Sequence, residues 1–310
     1  MDIGLSIPIK MSAQEKEQYT KNAKEIGVTS IWVGDNPPIN NAFLDIGRLF
    51  SNVQDMKFWT GITSPFYYSI EVLFSLSVWF SRNYPTRFGL GLGIGNMGII
   101  EDETIRKKPF TSFRKELERL LEIARVRKIK QKEDDFPPLA VGGLGKKMFN
   151  LAFEKADCLL LNSGSNFDLE RAMIGLEESL LSGPKGTYII PYSMIQIIED
   201  KAEMSLTHWN IAKDIAKSCS TKILQSHNYS SEMIGRIRDL PWERQKIVPT
   251  GDIQKIAHDF AIYGTKEEVF ERLSFFKEHG KEENIKGIVL GWIYSEEKWD
   301  DIKEIVKFLK

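Results

Sequence analysis

The sequence has little of several residue types, and each shortage excludes a class of protein. Its 310 residues include only two cysteines, Cys158 and Cys219, which are too far apart for a zinc motif and too few for a disulfide framework. The four histidines are scattered, so we expect no metal site, and His208 and His279 fit helices with surface roles. The G-x-S-x-G motif of serine hydrolases is absent as well.

Long apolar runs and a bias of charge are also missing. No window approaches the roughly 20 apolar residues of a transmembrane helix, and the N-terminus, MDIGLSIPIK, has no signal-peptide pattern. The chain has 42 Lys and Arg against 43 Asp and Glu, and a net charge of −1 favours neither a nucleic acid nor a membrane as partner. We therefore expect a cytoplasmic protein whose partner is a small-molecule substrate.

Apolar residues make up 42% of the chain, and short β-rich runs alternate with longer helical patterns. Eight runs indicate strands, several of them continuously apolar as in a parallel sheet: 3–9, 30–34, 58–63, 87–94, 138–142, 157–162, 187–197 and 287–292. Because helical patterns follow the strands, we predict an α/β fold with one domain over 1–310, a (β/α)8 TIM barrel. The surplus residues form insertions after strands 4 and 7, at 96–108 and 220–250. A doubly wound open sheet is the alternative.

The stretch Arg87–Gly98, RFGLGLGIGNMG, contains the pattern G-x-G-x-x-G of dinucleotide-binding turns. A true fingerprint opens a helix at once, whereas here a charge run and Pro109 indicate a loop. Every second residue from Gly89 to Gly95 is glycine, so one face of the strand carries no side chains. Such a face indicates either close approach by a flat ligand ring or tight packing against a bulky neighbouring layer.

Four segments, in their order and spacing, resemble the bacterial-luciferase-like superfamily of flavin-dependent monooxygenases and deazaflavin-dependent reductases, which includes methylene-tetrahydromethanopterin reductase. They are SIWVGDN ending at Asn36, FWTGITSPF ending at Phe66, TRFGLGLGIGN ending at Asn96, and PPLAVGGLGKKMFNLAFEKADCLLLNSG ending at Gly164. The resemblance spans residues 1–171. It implies an oxidoreductase that transfers hydride between a small organic substrate and the deazaflavin coenzyme F-420 or FMN.

We expect the site at the carboxyl ends of the strands, where barrel enzymes carry their active sites. Asp35 is the best acidic candidate for catalysis, with a loop cap as the alternative, and Asn36 stands beside it. Cofactor binding is assigned to the loops after strands 3 to 6: Gly61, Ile62, Thr63, Ser64, Gly93, Gly95, Asn96, Gly142, Gly143, Leu144, Gly145, Lys146, Asn162 and Ser163.

Two of these assignments have a more specific basis. The loop Gly142–Lys146 combines bare backbone N–H groups, a helix N-terminus and a lysine, and all three favour a phosphate. An ordinary strand-to-helix turn is the alternative. Gly61-Ile62 falls where the family often has a non-proline cis peptide behind the coenzyme ring.

Three departures from the family pattern concern acid–base chemistry. Ser6 stands where the reductases often carry glutamate, Asn36 where they often carry histidine, and Tyr67-Tyr68 lies where an Arg-His-Pro is usual. An asparagine cannot titrate. An FMN-dependent monooxygenase and a catalytically inactive barrel that acts as a binding protein therefore remain alternatives.

The family often forms homodimers through helices near the second and third βα units. The apolar residues between Phe43 and Phe50 are compatible with such an interface or with packing onto the barrel. An unrelated barrel enzyme, such as an aldolase, finds no support, because no strand-end lysine or carboxylate pair occurs.

Overall fold

A computed structural model describes residues 1–37, 39–131, 135–180, 186–198, 206–243, 245, 251–280, 284–292 and 298–310. Nine strands lie in these ranges: β1 Asp2–Ile7, β2 Ser30–Val33, β3 Lys57–Thr60, β4 Phe88–Leu92, β5 Leu139–Gly143, β6 Cys158–Asn162, β7 Tyr188–Ile197, β8 Ile262–Gly264 and β9 Gly287–Trp292. They pair in parallel in the order β6-β5-β4-β3-β2-β1-β9-β7-β8, and a further pairing of β6 with β7 closes eight of them into a barrel.

Helices surround this barrel. The described residues contain α1 Ala13–Glu25, α2 Ala42–Asn52, α3 Ile70–Asn83, α4 Glu103–Lys107, α5 Pro109–Gln131, α6 Lys146–Lys155, α7 Asn166–Leu180, α8 Leu206–Ser218, α9 Thr221–Ser226, α10 Ser231–Asp239, α11 Lys255–Phe260, α12 Lys266–His279 and α13 Trp299–Leu309. The predicted (β/α)8 barrel is confirmed. None of the helices in the described ranges is both long and apolar enough to cross a membrane.

Local sequence signals set where individual helices begin. The Ser12 side chain accepts the backbone N–H of Glu15, whose carboxylate accepts the N–H of Ser12 at 2.6 Å, so α1 begins at a capping box. Thr265 and Glu268 form the same arrangement at the start of α12. Each box satisfies two N–H groups that lack a partner within the helix, which stabilises that helix by about 1 kcal/mol.

The strand β8 is an addition to the eight predicted strands. Ile195 of β7 pairs with Trp292 of β9 and with Ile262 of β8, so these two strands flank β7 on opposite sides. β8 therefore lies on the β6 side, beyond the point where β6 ends at Asn162. A run of three residues is too short to show the alternation by which a strand is recognised.

The insertion after β4 contains more helix than the sequence analysis expected. Residues 103–107 form α4, where the charge run and Pro109 had indicated a loop. The Asp102 carboxylate starts this helix by accepting the N–H groups of Thr104 at 2.7 Å and Ile105 at 3.3 Å. Pro109 is the first residue of α5, a position that needs no N–H donor, so proline begins a helix here instead of ending one.

The segment between β7 and β8 extends beyond the predicted insertion at 220–250, since its described residues contain α8 to α11. It has its own apolar cluster, which includes Trp209, Leu224, Ile237 and Phe260. His208 on α8 is buried with it and only 1% exposed, so the expected surface role is wrong. Burial lowers the pKa of His208 to about 4, although a hydrogen bond with the Ile195 backbone has the opposite effect. The apolar neighbours on α8 explain why a histidine in a helix pattern turns inward.

The outer helix α2 faces the barrel with most of its apolar residues. Phe43, Ile46, Leu49 and Phe50 are buried, whereas Leu44 is 76% exposed. Four of these residues therefore pack onto the barrel, which was one of the two interpretations of this apolar segment. The homodimer stays a prediction, as does the assignment of residues 1–310 to one domain.

Candidate active site

Two stacked tryptophans fill part of the barrel interior. Trp32 on β2 and Trp59 on β3 are register partners, and their ring centroids lie 4.9 Å apart with planes inclined by 9°. Gly89 on β4 faces this stack, and a Cβ at that position would overlap the Trp59 ring. The first glycine of the alternating stretch therefore makes room for a side chain of the neighbouring strand.

The next glycines have the same function. A Cβ at Gly91 would overlap the carbonyl oxygen of Thr60, and a Cβ at Gly93 would overlap the Ile62 side chain. Ile62 also covers Gly142 on β5, where a Cβ would lie 3.0 Å from it. Of the two interpretations of the glycine spacing, tight packing against a bulky layer is the one observed. Coenzyme contacts of these glycines stay a prediction.

The peptide bond between Gly61 and Ile62 is cis, at the position where the family often has such a bond. Backbone hydrogen bonds hold this segment on both sides. The N–H of Gly61 donates to the Val33 carbonyl at 2.8 Å, and the Ile62 carbonyl accepts the N–H of Asp35 at 3.1 Å. The segment after β3 is thus fixed against the end of β2.

Asp35 lies buried at the end of β2 and accepts hydrogen bonds from three groups. Its Oδ1 accepts the backbone N–H of Ala42 at 3.1 Å, and its Oδ2 accepts the hydroxyls of Thr63 at 2.5 Å and Tyr68 at 2.8 Å. Burial and the hydrogen bond to the carboxylate raise the pKa of Tyr68. These partners are what a loop cap requires, and a catalytic role for Asp35 stays a prediction.

The other candidates after β2, β3 and β4 are joined in the same network. Asn36 is half-buried and makes a backbone bridge within the loop after β2. The Ser64 hydroxyl donates to the Ile94 carbonyl at 2.9 Å, and the Tyr67 hydroxyl accepts the N–H of Asn96 at 2.7 Å. Hydrogen bonds within the protein therefore connect this side of the barrel mouth.

The glycine-rich loop between β5 and α6 has the geometry expected of an anion site at one end. Gly145 has φ +87°, a conformation that favours glycine, and no side chain caps α6. The first N–H groups of an uncapped helix are available to another acceptor. Lys146 is exposed, and its Nζ lies 3.7 Å from the Oε2 of Glu178. Ile223 of α9 covers the loop, since a Cβ at Gly145 would lie 2.6 Å from its Cδ1.

The end of β6 is tied to the insertion through a buried histidine. The Ser163 hydroxyl donates to the Asp168 carboxylate at 2.7 Å, and the Ser163 carbonyl accepts the Ser193 hydroxyl at 2.7 Å. His227, from the insertion, places Nε2 3.1 Å from both oxygens of Asp168. Ser163 thus positions the loop after β6, and its predicted contact with a cofactor stays a prediction. Sequence reasoning missed His227, because its partner is 59 residues away.

Sequence reasoning missed Tyr192 on β7. Its hydroxyl donates to the Ser6 Oγ at 2.6 Å, although β9 lies between β7 and β1. Gly291 on β9 leaves room for two side chains of β7, since a Cβ there would overlap the Met194 sulfur and lie 3.3 Å from the Tyr192 ring. Asn162 is the register partner of Tyr192 on β6 and therefore lies on the same face of the sheet. Burial raises the pKa of Tyr192.

A signal for Tyr192 was present in the alternation along β7. Tyr188, Ile190 and Tyr192 pack against the interior tryptophan cluster, whereas Ile189 and Ile195 belong to the core under the helices. The period of two thus places a polar hydroxyl inside the barrel at the level where β6 ends. Within the described ranges, no group of three or more His, Cys, Asp and Glu side chains is arranged to hold a metal ion.

Comparison with known proteins identifies relatives along nearly the whole chain. The 5,10-methylenetetrahydromethanopterin reductase of Archaeoglobus fulgidus is 22% identical over 313 aligned positions, which cover 94% of each protein. The coenzyme F-420-dependent tetrahydromethanopterin reductase of Methanopyrus kandleri superposes with a TM-score of 0.70 at 14% identity, covering 99% of this chain and 96% of that one. The EDTA monooxygenase of Chelativorans sp. BNC1 gives 0.68 at 12% identity, covering 100% and 93%.

The resemblance to the luciferase-like superfamily is confirmed. No profile of a known protein family matches the chain. The superposed structures are less than 25% identical to it, so their likeness establishes the (β/α)8 barrel fold and not a reaction. Both a reductase and a monooxygenase share this fold with the chain. The polar groups of the mouth must therefore be considered on their own chemistry.

Proposed function

We propose that the chain is an oxidoreductase that transfers hydride between the deazaflavin coenzyme F-420, or FMN, and a small organic substrate. The match to a methylenetetrahydromethanopterin reductase along 94% of both chains carries this proposal. A match of that extent runs through nearly the whole barrel, at whose strand ends a barrel enzyme places its site, and does not depend on one motif. Because this relative is a methylenetetrahydromethanopterin reductase, the first reaction to test is the reduction of a one-carbon unit bound to a pterin.

The residues at the barrel mouth fit such a coenzyme. The uncapped start of α6, the bare loop before it and Lys146 would hold a phosphate by N–H groups and charge. Ser6, Tyr192 and Asn162 are partly accessible and offer hydroxyl and amide groups to a polar ring edge or a substrate. A bound deazaflavin or flavin supplies the hydride chemistry, and the protein orients the reactants and excludes water.

A side-by-side fluorescence titration of the purified protein with coenzyme F-420 and with FMN tests the proposal. We expect saturable binding of one of them at micromolar concentration or below. Lys146→Ala should weaken that binding about tenfold, because an ion pair or charge-assisted bond to a phosphate contributes roughly 1–2 kcal/mol at a partly exposed site.

Lys155→Ala is the matched control for this titration. It removes the same charge from the last residue of α6, nine positions away and so roughly 13 Å along the helix. The affinity should not change in this variant. If the wild-type protein is folded by circular dichroism and binds neither coenzyme, the proposal is wrong and the binding-protein alternative gains.

An FMN-dependent monooxygenase is the second candidate, favoured by the superposition on the EDTA monooxygenase. The same titration separates the two, since preference for FMN together with oxygen uptake by the reduced complex would favour the monooxygenase.

A further inference from the structure

Two hydroxyl groups meet inside the barrel mouth, on strands that are not neighbours. The Tyr192 hydroxyl of β7 donates to the Ser6 Oγ of β1 at 2.6 Å. A pair of hydroxyls carries two protons, and the bond between them uses one. No other hydrogen bond of either hydroxyl occurs within the described part of the chain, so the pair retains one proton beyond the bond between them. Because each hydroxyl can both donate and accept, Ser6 can donate to the Tyr192 oxygen when Tyr192 turns its proton to a third atom.

Both residues are partly accessible. Ser6 lies between Leu5 and Ile7, which are buried, and Tyr192 lies between two buried neighbours on β7. This alternation is that of strand residues that face the barrel interior while their neighbours face the helices. Tyr192 also packs against the same tryptophan cluster as Ile62, so the hydroxyl pair and the cis-peptide segment lie in the same part of the barrel interior.

Apart from Asn162, the cluster next to the pair is apolar. Trp32, Trp59, Leu160 and Val289 belong to the cluster against which the Tyr192 ring packs. A hydrogen bond in such surroundings is stronger than in water. A phenol has an ordinary pKa of about 10, and burial raises the pKa of Tyr192, so the hydroxyl carries its proton at neutral pH.

We infer that Tyr192 is a catalytic residue, the proton donor to the substrate, and that Ser6 positions its hydroxyl and returns the proton. The inference rests on the proposed function and adds the substrate class, a carbon doubly bonded to oxygen or nitrogen, or a methylene carbon that bridges two nitrogens. The carbon receives the hydride, and its π bond to the heteroatom, or its single bond to one of the two bridging nitrogens, breaks. The heteroatom then takes the proton of Tyr192 through its electron pair, and the phenolate regains a proton from water through Ser6.

The first test compares Tyr192→Phe with Tyr188→Phe. Both variants remove one hydroxyl from the interior face of β7, and Tyr188 lies four residues nearer the closed end of the barrel. With reduced coenzyme F-420 and methylene-tetrahydromethanopterin or acetone as substrates, Tyr192→Phe should lower kcat at least a hundredfold. Its affinity for the coenzyme should change less than twofold, and Tyr188→Phe should keep both values within about threefold.

Ser6 has a test of its own as a positioning residue. Ser6→Ala should lower kcat about tenfold at unchanged coenzyme affinity, and Ser6→Thr, which keeps the hydroxyl, should restore most of the rate. A merely structural role of Ser6 would instead show as a lower unfolding midpoint in both variants without that recovery.

A readout without turnover is nitration of tyrosines by peroxynitrite, which reacts through radicals and needs no phenolate, mapped by mass spectrometry. Tyr192 should be nitrated in the free protein and protected when the coenzyme is bound at the barrel mouth. If Tyr192 is not nitrated, or is nitrated equally with the coenzyme bound, the hydroxyl does not face the ligand and the inference is overturned.

The outcomes separate this inference from the function on which it rests. If the wild type binds the coenzyme and turns over, and Tyr192→Phe does so within threefold, only the inference is overturned. If the wild type binds neither coenzyme, the proposed function is overturned and the inference with it. If it binds without reducing either substrate, the nitration result decides.

Discussion

The two sides of the barrel mouth use their polar groups differently. On the side of β2, β3 and β4, hydroxyls and backbone groups converge on Asp35, and the glycines of β4 pack against Trp59 and Ile62. On the side of β1, β6, β7 and β9, Ser6 and Tyr192 share a single hydrogen bond and lie at accessible positions. The first side is saturated by its own contacts, whereas the second retains hydrogen-bonding capacity for a ligand.

This difference indicates which residues to consider as catalytic groups in a barrel that has diverged from its relatives. Three of the four segments that carry the resemblance lie on the saturated side, where packing and loop closure restrict which side chains fit. A hydroxyl that gives its proton to a ligand needs a partner that can replace that proton in the internal hydrogen bond, as Ser6 can for Tyr192 and as a carboxylate cannot for Tyr68. Similarity of sequence therefore located the fold, whereas spare hydrogen-bonding capacity locates the candidate donor.

Gly91→Ala tests the packed side most strongly and has the largest expected effect. Its Cβ would overlap the Thr60 carbonyl oxygen, which belongs to the backbone of a neighbouring strand and cannot rotate away. We expect a loss of stability beyond the ~3 kcal/mol typical of overpacked cores, measured as the urea midpoint. Gly235→Ala on α10 is the control, with no heavy atom within 4 Å of the new Cβ, and it should gain roughly 0.5–1 kcal/mol. If the urea midpoint of Gly91→Ala is unchanged, the β4 side is not tightly packed and does not differ from the Tyr192 side in this respect.

Asp35→Ala should have the next largest effect, a loss of about 2–3 kcal/mol, because it leaves buried donors of Ala42, Thr63 and Tyr68 without their acceptor. At a temperature where the variant is folded, kcat should stay within about threefold of the wild type. Unfolding curves and steady-state rates on the same samples measure both quantities. A hundredfold loss of kcat in the folded variant would instead make Asp35 catalytic, as first predicted from the sequence.

The side that carries Tyr192 should be the one sensitive to acid. His208 of α8 bonds to the backbone of β7, and burial lowers its pKa from 6.5 to about 4. The unfolded chain therefore binds a proton first, so this contribution to stability is complete above pH 6.5 and is lost as the pH falls towards 4. Between pH 8 and pH 5 the loss should be about 2 kcal/mol. Urea midpoints of the wild type and His208→Gln measure it, and equal pH dependence in both would contradict the assignment.

Sequence periodicity predicted much of this fold for a physical reason. Strands such as CLLLN, buried on both faces, leave continuous apolar runs, and the capping box at Ser12 and Glu15 marks a helix start within four residues. Such signals are local. β8 has only three residues and α4 has five. Neither element repeats its period often enough to be recognised in the sequence.

The candidate site divides in the same way. The resemblance placed Asp35, Gly61 and the loop up to Lys146 at the carboxyl ends of the strands, and they lie there. The contacts that assign roles to these residues are not local. Whether Asp35 is bonded by Tyr68, or Ser6 by Tyr192, depends on side chains 33 and 186 residues away. A single sequence gives the position of such residues but not their partners.

The hydrogen bond between Ser6 and Tyr192 also makes one end of the chain depend on the other. The strand between them, β9, is the last strand of the described chain, and its Gly291 gives the Tyr192 ring its path. β1 and β7 stand two strand spacings apart, roughly 10 Å, and β9 bridges that gap. The pair therefore assembles only when barrel closure joins the earliest and latest strands, which is a slow, long-range step in folding. A truncated or partly folded chain would lack the proposed proton donor, so catalytic competence would itself report that the barrel has closed.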